Sequence, residues 1–577
     1  MKFYYEVSMT IISEFLKVVN ENPHKISLIS EQEGELTYEE LNHYANYVSA
    51  LILEYKPKNK IIGICMNRSF KMVASILGVL KIGYAYMPID PSYPEERIFY
   101  TLAKSDLDLL LCDIESNEKI SRKIKKIIVS DYIRNKFCAY GNCSNSSDSE
   151  LAYVQYTSGS TGNPRGVLIT NHAIMNTLNW RINYYNLSST DIVLQVPSYA
   201  FASSVEDIFS TLLSGGTLVI IKAKDLTNIK YLKFLIVKYS VTHFLMIPTL
   251  YKEIVKELYD CTSLRFVVIA GEQFNRGLIQ KHYEVLPHVK LFNEYGMTET
   301  SVACIACQID ANDSANILGT FITNMKPLLM NLDEDSIGEL YVSGAGLAQG
   351  YHNDQVANDE KFVMINNTRY FITGDYVQKT SNDNYMFIGR KDNQIKVNGQ
   401  RVNFSEIDYA LQKLIGIKDS ITTFVEMENK KRIISFIITD AKNCNSISIK
   451  NELAKKLPKF YLPDFISILN EFEHLPNKKI NLKSMKEKYM NEWNDTMLNN
   501  NPIIVCLSQM IFDISDGLIL KPDLYIDVRK LGLDSITFIQ FIALVEEKFN
   551  FEFDYDDIEN MESVSLNELY KYILTLS

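Results

Sequence analysis

The chain has 577 residues, 46% of them hydrophobic and 22% charged, with a formal net charge of −11; that is enough for several hydrophobic cores. The acidic balance, with no Lys/Arg run interleaved with aromatics, argues against a nucleic-acid footprint and serves solubility. The nine cysteines are scattered, and the one C-x-x-C pair, Cys304 and Cys307, has no second pair at metal spacing, which argues against zinc and for reduced thiols in the cytoplasm.

Taken in chain order, the N-terminal MKFYYEVSMTIISEFLKVVNENP carries polar and charged residues inside its apolar stretch and has no small-residue cleavage site. It reads as an amphipathic helix, not a signal peptide. No uninterrupted apolar run approaches the roughly 18 residues that span a bilayer, so a soluble protein is expected. Between residues 25 and 380, β-like runs such as KIIGICM, LDLLLCD, GTLVII and THFLMIP alternate with helical patterns such as RSFKMVASILGVLK and VEDIFSTLLSGG. That alternation predicts an α/β domain with a substantially parallel sheet. At Gly389 the charged crossing GRKDNQIKVNGQR opens a second stretch, with a strand pattern in RIISFIITD and a helical one in EIDYALQKLI. It is too small to complete the first sheet and reads as an α+β lid. The polar, Asn-rich NEWNDTMLNNNP reads as a linker ending at Pro502. Beyond it, SITFIQFIALVEEKF and SLNELYKYIL have helical periodicity without a strand signal, which predicts a small helical bundle.

The segment LAYVQYTSGSTGNPRG, residues 151–166, is the most informative in the chain. Hydroxyls of Thr157, Ser158, Ser160 and Thr161, with backbone N–H groups freed at Gly159 and Gly162, can wrap a polyphosphate, and Arg165 adds positive charge. It is not a Walker A loop, since G-x-x-x-x-G-K-[ST] is absent, nor is Ser160 in a G-x-S-x-G nucleophile elbow. GSTG alone would be an ordinary turn; the longer string, from Tyr156 to Gly166, carries the phosphate reading.

With that loop in place the chain resembles the adenylation domains of non-ribosomal peptide synthetases, in the adenylate-forming superfamily with acyl-CoA ligases and luciferases. The other blocks fall in that family's order: LTYEEL, LKIGYAYMPIDPSYPEER, NEYGMTET, GELYVSGAGLAQGY, YFITGDY, GRKDNQIKVNGQRVNFSEID, LPKFYLP and LPNKKINLK. The resemblance implies a large α/β adenylate-forming N-terminal domain (residues 1–389), a small α+β C-terminal lid domain (390–487), a linker (488–501) and an all-α four-helix carrier domain (502–577). It also implies ATP and Mg²⁺ as cofactors.

The resemblance distributes roles among these blocks. Tyr295 offers an aromatic face to adenine and Asn293 an amide to its exocyclic amine; Gly271 and Glu272 form the turn beside the nucleotide. Thr298 and Glu299 correspond to the hydroxyl and carboxylate that meet phosphate and Mg²⁺, with Glu299 as the metal ligand, a hard donor for a hard cation. Asp375 accepts both ribose hydroxyls, and Arg390 belongs to the nucleotide-binding set. Lys479 corresponds to the lysine that reaches the acid's carboxylate and the α-phosphate; locally it is also one half of a Lys-Lys pair that solvent could hold, and Lys478 stands where glycine is usual. Asp392 corresponds to the hinge about which the lid turns, first to exclude water and then to admit a thiol. Arg165 replaces the usual loop lysine, keeping the charge and changing its geometry.

In LGLDSITF, residues 531–538, a serine at a helix start is ordinarily a cap. The string also resembles the attachment signature of acyl- and peptidyl-carrier domains, in which this serine, Ser535, receives 4′-phosphopantetheine. A phosphodiester there would face the positive end of a helix. A phosphopantetheinyl transferase is then an implied partner, with condensing or tailoring enzymes downstream. A monomer is the expected state.

The identity of the acid turns on FASSVEDIF, residues 201–209. Relatives that activate α-amino acids carry an Asp after the first Phe, and here Ala202 stands there. An ammonium buried without its partner costs about 3–5 kcal/mol, roughly two to three and a half decades of discrimination. Glu206, one turn further on, and Glu294 are the carboxylates that could substitute. The resemblance lines the acyl pocket with Phe201, Ala202, Ser203, Glu206, Leu245, Val268, Ala270, Glu294, Val302 and Ala303. A β- or ω-amino acid such as β-alanine is expected first, with Glu206 as ammonium partner, and an aryl or hydroxy acid second. The alternatives are an acyl-CoA ligase, disfavoured by the carrier in cis, and a degenerate scaffold whose carrier is loaded in trans.

Overall fold

The computed structural model describes residues 9–120, 124–131, 151–157, 164–314, 316–332, 336–380, 382–390, 394–397, 400–427, 430–439, 446–469, 471–473, 480–498, 502–514 and 535–549. The chain forms two compact units, Met1–Gly159 with Asn163–Asn403, and Ser160–Gly162 with Phe404–Ser577.

In the first unit, runs such as FVVIA and HFLM are apolar at nearly every position, as strands covered on both faces require. They lie in a sheet whose parallel half runs Ile26–Ser30, Thr217–Ile220, Ile192–Gln195, His243–Met246, Phe266–Ala270 and Lys290–Met297. From Lys290–Met297 onward the same sheet turns antiparallel through Val302–Ile309, Ile317–Phe321, Tyr385–Arg390, Thr368–Lys379, Ile337–Gly344 and Met325–Met330. A second sheet sets Lys125–Ile128, Leu109–Cys112, Ile61–Cys65, Ala85–Ile89 and Leu151–Thr157 parallel, and ends in the antiparallel strands Arg165–Thr170 and Gly350–Tyr351. One apolar cluster joins Leu28, Val193 and Leu218 of the first sheet, Ile62, Leu111 and Ile169 of the second, and the helices between them. Those helices start where the sequence supplies a cap: Thr37, Ser69 and Thr170 each accept a hydrogen bond from the backbone N–H three residues on. The expected α/β domain is present.

The second unit holds a three-stranded sheet. Ile417–Met427 and Lys430–Thr439 form an antiparallel pair, with Phe465–Leu469 parallel to the latter. Helices Phe404–Gln412, Ser446–Ala454 and Leu482–Leu498 accompany it, and Phe436, Phe465, Phe472 and Tyr489 pack in its core. This is the expected α+β fold. The polar stretch read as a linker is helical as far as Leu498, since it contains neither Gly nor Pro before Pro502. Helix Pro502–Ile514 opens on its proline, where no backbone donor is lost. It packs against Ser535–Phe549 through Leu507, Ile511, Phe541 and Val545. These two are the described helices of the expected carrier; residues 515–534 and 550–577 lie outside the described residues.

Candidate active site

Most predicted nucleotide residues lie at or beyond the C-terminal ends of two adjacent parallel strands, the usual ligand crevice of an α/β sheet. Phe266–Ala270 runs into Gly271, whose φ of +87° suits glycine. Glu272 follows, and its carboxylate accepts from both the backbone and the hydroxyl of Thr249, the former at 3.1 Å. Next to it, Lys290–Met297 ends in the short 3₁₀ turn Thr298–Thr300, which returns the chain antiparallel as Val302–Ile309. The register shifts between Tyr295 and Gly296, and a Cβ at Gly296 would fall 1.7 Å from the carbonyl oxygen of Val302. Only glycine fits there. Ser301 and Val302 both hold positive φ, 52° and 78°, which is costly for a β-branched residue and is strain of the kind found at binding sites. The hairpin thereby sets Asn293, Glu294, Tyr295, Thr298, Glu299, Val302 and Ala303 within one turn of chain.

The nucleotide side is tightly cross-linked. The Tyr295 hydroxyl donates to Asp375, and burial, with Asp375 alongside, pushes that phenol well up so that it remains the donor. Asp375 also accepts from Arg390, its direct partner across the Thr368–Lys379 and Tyr385–Arg390 strands. Arg390 in turn donates to the Thr373 carbonyl at 3.3 Å. A carboxylate has about four acceptor positions, so Asp375 can hold both partners and still receive hydroxyls. Asn293 donates through Nδ2 to the Ile317 carbonyl at 2.8 Å, so its Oδ1 is the atom able to accept from an exocyclic amine. Glu299 is buried, and Tyr351 donates to its Oε1 at 2.7 Å. Its carboxylate and the Thr298 hydroxyl are hard oxygen donors of the type that suits Mg²⁺.

In the phosphate-loop strands, Thr157 lies opposite Arg165 in the pairing of Leu151–Thr157 with Arg165–Thr170. Ser158, Gly159, Ser160, Thr161 and Gly162 lie outside the described residues, as do Asp392 and Lys479. Arg165 is engaged within the protein: its Nε is 2.9 Å from Asp354, and its guanidinium lies over the Tyr351 ring at 5.6 Å. Arg165, Tyr351 and Glu299 thus form a connected row.

On the acyl side, Phe201 precedes helix Ala202–Leu213 and stands at its N-cap. Ala202, Ser203, Ala270 and Val302 are partly exposed, while Leu245, Val268 and Ala303 are buried beneath them. Glu206 and Glu294 come together, as the sequence reading requires, but they are not alone. Arg181, from helix Asn171–Tyr184, is fully buried between them and bonds Glu294, with Glu206 at 3.5 Å and Asp207 at 3.4 Å. Tyr185 donates to Glu294 at 2.8 Å, and the Ala303 N–H donates to Glu206 at 3.3 Å. Sequence reasoning missed Arg181, Tyr185, Asp207 and Tyr351. A signal for Arg181 existed: it falls in register with the buried Ile174 and Leu178 on one helix face, where an arginine needs a buried partner. Ser535 opens helix Ser535–Phe549.

Comparison with known proteins agrees with this geometry. A family model described as AMP-binding enzyme matches residues 15–352, and one described as phosphopantetheine attachment site matches residues 521–573. Bacitracin synthase 3 of Bacillus licheniformis is 35% identical over 495 residues, 84% of this chain and 8% of that protein. Gramicidin S synthase 2 of Brevibacillus brevis is 31% identical over 501 residues, 84% of this chain and 11% of its own length. The chain thus spans only a small part of each of these relatives. Among solved structures, an artificially fused adenylation–PCP di-domain NRPS from Klebsiella oxytoca (NpsA-ThdA) superposes with a TM-score of 0.72 at 25% identity, covering 85% of this chain and 98% of that one. Holo-PA1221, an NRPS protein containing adenylation and PCP domains, has the same fold, with a TM-score of 0.76 at 20% identity over 93% of this chain and 92% of its own.

Proposed function

Because this chain belongs to the AMP-binding enzymes, as an adenylation unit that works as an acid–thiol ligase through an acyl-adenylate and is followed by a phosphopantetheine attachment site, we propose that it loads its own carrier. A carboxylic acid is activated with ATP, releasing pyrophosphate, and is then transferred to the carrier arm at Ser535, which supplies the thiol nucleophile. The observation that carries this reading is the hydrogen-bonded set of Tyr295, Asp375 and Arg390, with Glu299 on the turn that follows the Tyr295 strand, in a chain that also has the carrier signature. Lys479 is assigned to the reacting carboxylate and α-phosphate, Asp392 to the hinge, and residues 157–162 to the phosphates. We assign the domain limits as residues 1–389, 390–487 and 502–577. The partners that follow are a phosphopantetheinyl transferase and downstream condensing or tailoring enzymes, in the cytoplasm. No helix among the described residues is long and apolar enough to cross a membrane.

The acid itself is read as one without a standard α-amine, since Ala202 offers no carboxylate at the mouth of the pocket while Glu206 and Glu294 lie deeper. β-Alanine or another β- or ω-amino acid comes first, an aryl or hydroxy acid second. ATP–pyrophosphate exchange over a panel of acids tests this, followed by the intact mass of the loaded carrier. Lys479→Ala serves as the control and is expected to lower exchange by roughly 10²–10³-fold, the scale for losing a preorganised charge at the reacting centre. If common α-amino acids exchange fastest, the substrate reading fails.

A second expectation concerns Tyr351, which orients the Glu299 carboxylate. Tyr351→Phe is expected to raise the Mg²⁺ concentration for half-maximal exchange roughly tenfold, as the loss of a partner behind a metal ligand does. The maximal rate at saturating Mg²⁺ should change much less. An unchanged Mg²⁺ titration would show that the bond does not position Glu299.

A further inference from the structure

At the inner end of the acyl pocket the charges do not balance. Arg181 stands against three carboxylates, Glu206, Asp207 and Glu294, and all four side chains are buried from solvent. With every group ionised these four would carry two excess negative charges in a desolvated place, offset only in part by the buried Arg68, which Asp207 shares with Asp90; a purely structural ion network avoids such an excess. Oδ2 of Asp207 is buried without a hydrogen-bond partner, and Glu206 and Glu294 are close enough to share a hydrogen bond, which needs a proton on one of them. Glu206 lies four residues after Ala202 and so on the same helix face, and Ala202 and Ser203 are partly open while Glu206 is not. The proposed acyl pocket, running along Ala202 and Ser203, would therefore end at the carboxylates of this cluster.

We propose that Arg181, Glu206, Asp207 and Glu294, with Tyr185, form a receptor for a cation at the far end of the substrate acid, and that a proton held there in the free protein leaves when the cation enters. The substrate class is a short ω-amino acid whose primary ammonium lies beyond the α-carbon. This rests on the proposed course of the acyl pocket along Ala202, Ser203 and Glu206. Arg181 is then a specificity-determining residue. Its guanidinium holds Glu294 and limits how many carboxylates must be satisfied by anything else, so that one extra positive charge is welcome and the cluster is not left to attract several.

The groups facing Glu206 favour a proton on this cluster. They are Arg181 and Tyr185 from one helix and its end, Asp207 beside it, Glu294 from the Lys290–Met297 strand, the Ala303 N–H, and the buried phenol of Tyr153. Burial and then Glu294 push the Glu206 carboxyl well above the ordinary range, against the pull of Arg181. Burial likewise pushes Asp207 up to about 7. An arriving ammonium favours the ionised carboxylate, so binding should release a proton and tighten as pH rises through the neutral range.

The test is calorimetric titration of the full chain, saturated with α,β-methylene-ATP, in two buffers of different ionisation enthalpy near neutral pH. β-Alanine and 4-aminobutanoate are compared with propanoate and butanoate, which lack the ammonium. The expected result is release of about one proton per ω-amino acid bound and none for propanoate or butanoate. In exchange assays, Glu206→Gln should raise the KM for β-alanine roughly 100-fold with the affinity for α,β-methylene-ATP retained. The proton count on the unaltered protein decides the matter even if the variant folds poorly. Rapid exchange with ω-amino acids but no proton release would overturn the receptor and leave the proposed function standing. Aryl or hydroxy acids exchanging fastest, with ω-amino acids inert, would overturn the receptor too. Fastest exchange with α-amino acids would remove the substrate reading itself, and the receptor with it.

Discussion

Ser535→Ala is expected to leave ATP–pyrophosphate exchange at its wild-type rate and to abolish acyl loading of the chain altogether. The two halves of the reaction use different parts of the protein. Exchange draws on the acid, ATP, the groups around Tyr295, Asp375 and Glu299, and the proposed Lys479, none of which is Ser535, whereas loading ends on the phosphopantetheine attachment site that holds it. Loading needs a thiol, and the cysteines of the adenylation site's own strands do not offer one. Cys304 is buried, and burial pushes the Cys307 thiol up to about 12, so it is almost wholly protonated at neutral pH. The phosphopantetheine arm is then the expected acceptor on the chain. Intact mass after incubation with coenzyme A, a phosphopantetheinyl transferase, ATP and the preferred acid reads both events. The variant should show neither the arm's mass nor the acyl increment. A variant that still gained both would put the attachment on another residue.

Arg181→Met is expected to be the most destabilising single change on the acyl side, at about 3–5 kcal/mol near neutral pH, the range for removing one partner of a buried ion pair. Methionine has similar reach and fills the space, so the loss is one of charge rather than of packing. Three carboxylates would be left to one another, with Tyr185 and the Ala303 N–H as their remaining donors. The pH dependence has a definite sign. A carboxyl whose folded pKa lies above its unfolded value of about 4 adds no penalty below that pH, where it is protonated in both states. Its penalty grows as pH rises and levels off above the folded value; for Asp207 in the native protein that value is about 7. Removing Arg181 raises that value further, so wild type and variant share this penalty up to about pH 7, and chemical denaturation should show the gap between them widening as pH rises above it. A gap that does not widen above pH 7 would mean that Arg181 contributes packing and not charge balance.

How much of this was legible beforehand depends on whether a feature is local in the chain. The alternation of apolar runs and helical patterns was enough for an α/β unit and an α+β unit, because periodicity and burial are written residue by residue. The nucleotide-side blocks were legible for a related reason. Asn293 to Glu299 is one strand and its turn, and its neighbours in sequence are its neighbours in space. Asp375 and Arg390 were each picked out singly. Their union through a cross-strand pair, and the closing of that pair on Tyr295, needed the sheet register. Arg165 was read as a phosphate contact from its place in the loop. Its engagement with Asp354 and Tyr351 depends on a strand pairing that brings Gly350–Tyr351 alongside Arg165–Thr170.

The sequence by itself determined that this chain carries an adenylation unit and a phosphopantetheine attachment site, since contiguous motifs suffice for both. Through Ala202 it also raised the expectation that the usual partner of an α-amine is missing. Only the tertiary structure decided what stands in that region instead. Arg181 meets Glu206 across 25 residues and Glu294 across 113, and no spacing rule links positions that far apart. The balance of charge in a buried cluster belongs to the folded arrangement, because it depends on which side chains lose water together.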